Sequence, residues 1–343
     1  MRIVFMGTPD FAVCSLAALV DGGYDVVAVV TMPDKAIGRH HETLQPSPVK
    51  QYAVAHGIPV LQPERLKDEA FLDALRAFRA DLQVVVAFRM LPEVVWAMPP
   101  RGTFNLHAAL LPQYRGAAPI NWAVINGDTQ TGVTTFFLDH DIDTGRIIHR
   151  VPVEIGPRDT AGDIHDRLMT VGAELVVRTV RDIASGEVAS TSQDELMVSA
   201  DLRPAPKLFR DNTEIRWSCH TPVTAYNFIR GLSPYPTAWT TLLTADGRQT
   251  QMKVFFAECE EGERVGCPPA DAQRATENKQ QSDAAASGYP LVVDGGRLIV
   301  KLPTGDLCLA DIQLAGKRRM PAADFLRGAH LDGAVLIETC CQL

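Results

Sequence analysis

The chain opens Arg2-Ile3-Val4-Phe5-Met6-Gly7-Thr8-Pro9-Asp10-Phe11-Ala12, and this stretch sets the fold class. Arg2 to Met6 reads as an apolar strand, and Gly7-Thr8-Pro9-Asp10 as a tight turn. Phe11 to Val20 follows as a helix, with Ala12, Leu16, Leu19 and Val20 near helical spacing. Tyr24 to Val30 is a second predicted strand. Strand, turn, helix, strand is the repeating unit of a parallel sheet.

The alternation continues outward. Helices are predicted near Pro48–His56 and Arg65–Phe78, then strands at Leu82 to Ala87, Thr103 to His107, Val133 to Leu138 and Ile147 to Val153. Thr160 to Ser185 is a long amphipathic helix. Thr31 to Pro46 shows no clean period and holds Pro33, Gly38, His40, His41 and Pro46, which reads as a long exposed loop. Gly186 to Pro206 is polar and Pro-containing, a linker. Beyond it come short strand-like runs at Ala238–Leu243, Thr250–Ala257, Pro290–Val293, Leu298–Leu302 and Leu307–Leu314, with an acidic, polar insertion at 259–287. The expected fold is α/β: a Rossmann-like domain with a mostly parallel sheet over 1–187, a linker over 188–206, and a smaller β-rich module over 207–343. Ligands of open α/β sheets bind outside the carboxyl ends of strands, where Gly7, Phe88, His107 and Asp143 are expected. The first turn lacks a GxGxxG fingerprint, which disfavours a dinucleotide.

With 343 residues, 46% hydrophobic and 22% charged, the chain is of ordinary globular composition. No apolar run approaches the ~20 residues of a membrane span. The N-terminus enters a strand at once rather than a signal peptide, and seven scattered cysteines lack paired spacing, so a reducing cytoplasm is expected. Net charge is −8, which argues against bulk nucleic-acid binding and leaves room only for a local basic stripe. His40-His41 is the densest His site and has only Glu42 beside it, so no metal is expected.

The chemistry is concentrated between Phe104 and Gly145. Phe104-Asn105-Leu106-His107 alternates, so Asn105 and His107 are expected on one face of a strand. It runs into Leu110-Leu111-Pro112-Gln113-Tyr114-Arg115-Gly116, and Asp141-Ile142-Asp143-Thr144-Gly145 follows the next strand. An Asn amide donates to an oxyanion, an imidazole relays a proton near neutrality, and an Asp beside it fixes its tautomer and favours its protonated form. This combination fits acyl transfer to an amine from an already activated donor, without a Ser or Cys nucleophile. Taken singly, Asn105 and His107 are more often satisfied polar groups, and Asp143 a turn residue; the ordered combination carries the reading.

With these residues in view, the chain resembles the methionyl-tRNA formyltransferases over almost its whole length. The resemblance rests on Phe5 to Ala12, Pro46 to Lys50, Val84 to Pro92, the Asn105/His107 block, Asp141 to Gly145, Ile229 to Pro234 and Ala315 to Met320. It implies a formyltransferase catalytic domain, an OB-like tRNA-binding domain, and formyl transfer from 10-formyltetrahydrofolate to the α-amine of methionyl initiator tRNA by a cytoplasmic monomer. It also implies Asn105, His107 and Asp143 as the catalytic trio. The folate is expected against Phe88, Arg89, Met90, Leu91, Leu110, Leu111, Pro112 and Asp141, and the tRNA against Lys35, Arg39, Lys207, Arg210, Lys317, Arg318 and Arg319.

The chain departs from the family pattern in three places. Ala109 stands where the family usually has Ser, and Arg216 where it tends to have Asp. The loop after Gly38-Arg39 continues His40-His41-Glu42 rather than strongly basic, which implies a weaker grip on the acceptor end. Two rivals share the trio: a formyltransferase for an amino-sugar nucleotide, and a catalytically silent tRNA- or folate-binding homologue.

Overall fold

The computed structural model describes residues 1–37, 43–196, 202–259, 288–329 and 331–338. By internal contacts the chain divides into two compact units. One comprises residues 1–119, 130–154 and 165–205; the other comprises 120–129, 155–164 and 206–343.

The first unit is built on a seven-stranded sheet in the order β5-β2-β1-β6-β7-β8-β9. Its strands are β1 (Arg2–Gly7), β2 (Asp25–Val30), β5 (Val60–Leu61), β6 (Leu82–Val86), β7 (Thr103–His107), β8 (Gln130–Phe137) and β9 (Ile147–Glu154). The first five pair in parallel, while β8 and β9 are antiparallel additions at one edge. Ile3 to Met6 are fully buried, as strands covered on both faces require. Helix α1 (Asp10–Asp21) follows the first turn directly. Helix α2 (Pro48–Ala55) starts where Ser47 Oγ accepts from Lys50 N at 3.1 Å, with Pro48 supplying the fixed φ of a first helical position.

The stretch 31–46, expected as a long exposed loop, contains paired strands among its described residues. It holds a two-stranded hairpin of β3 (Lys35–Ile37) and β4 (Thr43–Gln45). Three-residue strands are too short to display a period, so the sequence could not announce them. Asp34 braces the hairpin's base, accepting from Lys50 Nζ at 2.6 Å and Gln62 Nε2 at 2.7 Å. These hydrogen bonds, Lys50 first, hold its carboxyl below the usual range.

The long helix α6 (Ala161–Ser185) covers one face of β7 and β8. A Cβ added at Gly172 would meet Leu106 Cδ2 at 2.8 Å, and Thr179 Oγ1 bonds Thr135 Oγ1 at 2.9 Å. Leu106 is paired with Thr135, so both side chains share that face. Asn105 and His107, one residue out of phase, point to the other face.

In the second unit six strands close a barrel in the order β11-β10-β16-β12-β13-β14, with β11 also pairing β14. They are β10 (Ala238–Leu243), β11 (Gln249–Glu258), β12 (Tyr289–Asp294), β13 (Arg297–Leu302), β14 (Gly305–Leu314) and β16 (Val335–Ile337). This OB-like closure removes exposed edges. The barrel core joins helix α7 (Pro222–Leu232), whose N-terminus carries a capping box between Thr221 and Thr224. Trp217 is fully buried there and donates from Nε1 to Thr240 Oγ1 at 2.9 Å. The insertion expected at 259–287 lies, after Cys259, outside the described residues, as do Cys340 and Cys341.

Candidate active site

Strand β7 delivers Asn105 and His107 to the face that the 109–117 loop covers. Thr134, opposite His107 in the register, pins that loop by donating to Ala109 O at 2.6 Å and accepting from Leu111 N at 3.2 Å. Ala109 is fully buried, with no hydroxyl to contribute. The loop returns so that His107 Nε2 lies 2.8 Å from Tyr114 O. A carbonyl only accepts, so Nε2 carries a proton and Nδ1 faces the cleft. Asn105 is partly exposed, and its amide has no hydrogen-bond partner among the described residues.

Asp143 arrives by an indirect route. Strand β8 runs antiparallel to β7, so it ends beside the start of β7, where Leu138 N donates to Thr103 O at 2.8 Å. The 138–146 connection then doubles back. Asp143, at φ 56°, places Oδ2 at 3.8 Å from His107 Nδ1 and accepts from Gly116 N at 3.0 Å. That is ion-pair reach and not a direct hydrogen bond. The carbonyl of Tyr114, rather than Asp143, therefore fixes the imidazole tautomer, in contrast to the expectation from sequence.

Two glycines make the approach possible. A Cβ at Gly145 would fall 1.7 Å from Phe137 O. Gly116 sits at φ 127°, where a Cβ would meet Ala205 O at 2.4 Å. The second contact involves the stretch read as a linker, which packs on this loop. Arg203 O accepts from Tyr114 N at 2.7 Å, and Ala205 O accepts from Ala117 N at 2.7 Å. Gln193, buried in the same stretch, donates to Asp143 O at 2.8 Å and Gly145 O at 2.9 Å. Sequence reading missed Gln193, since a lone glutamine 50 residues from its partner carries no local signal.

The residues expected to meet the folate are distributed unevenly. Met90 is 75% exposed, and Ile142, in the segment of Asp141, is 62% exposed. Phe88 and Arg89 are partly buried; Arg89 Nη1 donates to Glu64 O at 2.9 Å and Nη2 to Pro63 O. Desolvation lowers the Arg89 pKa. Leu91 and Leu111 are core residues, the latter packed with Phe136 and Ile147. Pro112 follows Leu111 through a cis peptide bond. Leu110 lines a 470 Å³ cleft with Ile147, Ile148, Pro152 and Leu196, and none of the trio borders that cleft. Asp141 is exposed, and its carbonyl accepts from Thr144 Oγ1 at 3.2 Å. Among the described residues no cluster of three or more His, Cys, Asp or Glu is placed to hold a metal. No described helix is long and apolar enough to cross a membrane.

Among the basic residues, Lys35 is exposed on β3, while Arg39 lies outside the described residues. On the barrel, Arg210 stacks 5.4 Å from the Trp239 ring, and Lys207 lies 5.3 Å from Phe209. Lys317 and Arg318 are exposed without an ion-pair partner among the described residues. Arg319 is different: it pairs with Asp311 Oδ2 at 2.5 Å and lies 4.2 Å from the Phe255 ring. The cross-strand register adds residues that sequence missed. Trp239 opposes Lys253, and Lys253 opposes Gln313, whose amide donates to Lys317 O at 2.9 Å. Arg210, Trp239, Lys253 and Lys317 thus follow one another across β10, β11 and β14.

A family model described as formyl transferase matches residues 1–180, and one described as formyl transferase, C-terminal domain, matches 207–330. The methionyl-tRNA formyltransferase of Parabacteroides distasonis is 56% identical over 330 residues, covering 96% of this chain and 95% of that protein. Its counterpart in Bacteroides fragilis is 52% identical over 336 residues, 97% of each chain. Among solved structures, an N-formyltransferase from Helicobacter canadensis, in complex with folinic acid and dTDP-3-aminofucose, superposes with a TM-score of 0.58. At 17% identity over 90% of this chain and 98% of that one, it shares the fold.

Proposed function

This chain belongs to the methionyl-tRNA formyltransferase family, and from that premise we propose that it transfers the formyl group of 10-formyltetrahydrofolate to the α-amine of methionyl initiator tRNA. The observation that carries the assignment to this site is the 3.8 Å approach of Asp143 to His107 Nδ1, beside an Asn105 amide without a partner. In this reading residues 1–187 form the catalytic domain, 188–206 the linker and 207–343 the tRNA-binding domain of a cytoplasmic monomer.

The steps follow from which atoms are available. The α-amine adds to the formyl carbon, and charge grows on the formyl oxygen. The Asn105 amide donates to that oxygen. In the imidazolium form His107 donates from Nδ1, its Nε2–H being committed to Tyr114 O. Such preorganised donors each contribute about 10²–10³-fold in rate. The Asp143 carboxylate accepts the proton that the amine loses, directly or through water. The oxyanion collapses to the new formamide carbonyl, the C–N10 bond breaks, and N10 takes up the proton that Asp143 received, directly or through water. The exposed side chains of Met90 and Ile142 offer apolar contact to the pterin ring, with Asp141 and the backbone of 138–142 at its polar edge. The barrel stripe of Arg210, Lys253, Lys317 and Arg318 receives the tRNA backbone, with Trp239 and Phe209 as stacking surfaces. In the first unit, Lys35 is a contact for the acceptor end. Since Lys50 is neutralised by Asp34, the described part of the hairpin adds little charge.

The test is formylation of methionyl initiator tRNA with 10-formyltetrahydrofolate, beside methionyl elongator tRNA and an amino-sugar nucleotide. Initiator-selective turnover is expected. Turnover of the sugar alone, or folate binding without turnover of any acceptor, overturns the reading.

A further inference from the structure

The Asp143 carboxylate is useful only if its loop, which reaches the site from the far end of β7, is held in place. Within the loop, Asp139 Oδ1 accepts from Asp141 N at 3.2 Å and from Thr144 Oγ1 at 2.8 Å, but these bonds tie the loop only to itself and not to the site. Asp143 is in the left-handed region at φ 56°, a conformation that Asp adopts more readily than most non-glycine residues, and its backbone carbonyl is tied down from outside the loop. That tie comes from a residue 50 positions away. The Gln193 amide uses both N–H groups on this loop, one on Asp143 O at 2.8 Å and one on Gly145 O at 2.9 Å. Its oxygen accepts twice from one guanidinium, Arg115 Nε at 3.1 Å and Nη2 at 2.7 Å. With two donors on carbonyls and the oxygen on a cation, the amide has no alternative orientation. A flip would set its oxygen against two carbonyls and its N–H groups against N–H groups. Gln193 is 2% exposed, so these bonds have little competition from water.

Arg115 is flanked by the two backbone groups that hold the other members. Tyr114 O takes the His107 Nε2 proton, and Gly116 N donates to Asp143 Oδ2. The contacts therefore close a ring: His107, Tyr114, Arg115, Gln193, Asp143 and back to His107. We propose that Gln193, clamped by Arg115, is a positioning residue that sets the distance and angle between the Asp143 carboxylate and His107 Nδ1. The proposal rests on the reading of this site as a formyl-transfer centre. It gives Gln193, within the 188–206 linker, a part in the catalytic apparatus.

Gln193→Glu separates this role from packing, and Gln193→Ala serves as the second variant. Glutamate keeps the volume and the Arg115 partner but turns an acceptor toward Asp143 O and Gly145 O and adds a charge. Alanine releases the loop without adding one, so an effect shared by both variants reports the grip. The expected result for Gln193→Glu is a kcat lowered about 10²-fold, the scale of an ångström-level misplacement, with an altered pH profile of kcat. KM for tRNA and for the folate donor stays within about threefold, because no substrate contact is removed. In ¹⁵N-histidine-labelled protein without substrate, the His107 ring signals, assigned through His107→Gln, move in both Gln193→Glu and the uncharged Gln193→Ala. Wild-type kcat and pH profile, a change in KM alone, or activity lost only in proportion to folded protein overturns the proposal. Should the wild-type enzyme formylate no methionyl-tRNA, the functional reading falls separately. The ring signals still decide the clamp: unmoved signals overturn it.

Discussion

His107 Nδ1 and Asp143 Oδ2 stand 3.8 Å apart, while the opposite ring nitrogen of His107 is fixed on the Tyr114 carbonyl at 2.8 Å. The pair is therefore within ion-pair reach across a short gap and shares no direct hydrogen bond. Asp143→Asn keeps the shape and the acceptor for Gly116 N while removing the charge. It is expected to lower kcat about 10²–10⁴-fold, the range for loss of a proton-transfer partner. His107→Gln is expected to cost a similar factor, and the double variant scarcely more than either, because the two act as a unit. Steady-state kinetics on the four proteins checks this; additive losses would show that the residues work independently.

Gly145 tests the loop's path without touching a polar group. A Cβ there would lie 1.7 Å from the Phe137 carbonyl oxygen, so the backbone must shift. Gly145→Ala is expected to destabilise the protein by about 1–3 kcal/mol and to reduce kcat, since the Gly145 carbonyl is also a Gln193 acceptor. Gly328→Ala, where nothing lies within 4 Å, is the matched control and stays near wild type. Thermal unfolding and kcat of the two variants decide it. Equal behaviour would mean that the 138–146 connection takes the methyl group without moving.

The parts of this arrangement that the sequence displayed are those written in local period. The apolar run Arg2 to Met6, its turn and the helix after it are legible because each element signals itself within a few residues. Asn105 and His107 were placed on one face by strand alternation alone. What escaped depends on pairings distant in sequence. Asp143 reaches His107 because β8 is antiparallel and its connection doubles back, which no local pattern encodes. Gln193 owes its place to contacts with Arg115, Asp143 and Gly145, each about 50 residues or more away. Lys253 became visible beside Trp239 only through the register of β10 and β11.

That register makes a prediction about charge. Lys253, Lys317 and Arg318 lack ion-pair partners among the described residues, whereas Arg319 is held by Asp311 and lies over Phe255. Replacing any of the first three by Ala is expected to weaken tRNA binding and to reduce the slope of log K against log salt by about 1. Arg319→Ala is expected to leave the slope closer to wild type and to cost stability instead. Filter-binding titrations over a range of salt concentrations distinguish the cases. A larger slope change for Arg319 than for Lys253 would place the RNA elsewhere on the barrel.

His220 predicts a pH dependence of folding in the second unit. Its ring packs on Phe228 at a centroid distance of 5.1 Å, and Nδ1 lies 3.2 Å from Thr224 Oγ1. Burial lowers its pKa to about 4. The unfolded chain titrates near ~6.5, so between these values the unfolded state binds a proton that the folded state refuses. Stability therefore rises with pH across this window: it is complete above about pH 6.5 and is lost as pH falls toward 4. The whole effect is at most about 3 kcal/mol, and less to the extent that the partly exposed ring still meets solvent. His220→Gln keeps a side chain able to reach Thr224 and removes the titration. Urea midpoints at neutral pH and at two points within the window are expected to fall more steeply for wild type than for the variant. Parallel curves would mean that the ring accepts its proton in the folded protein.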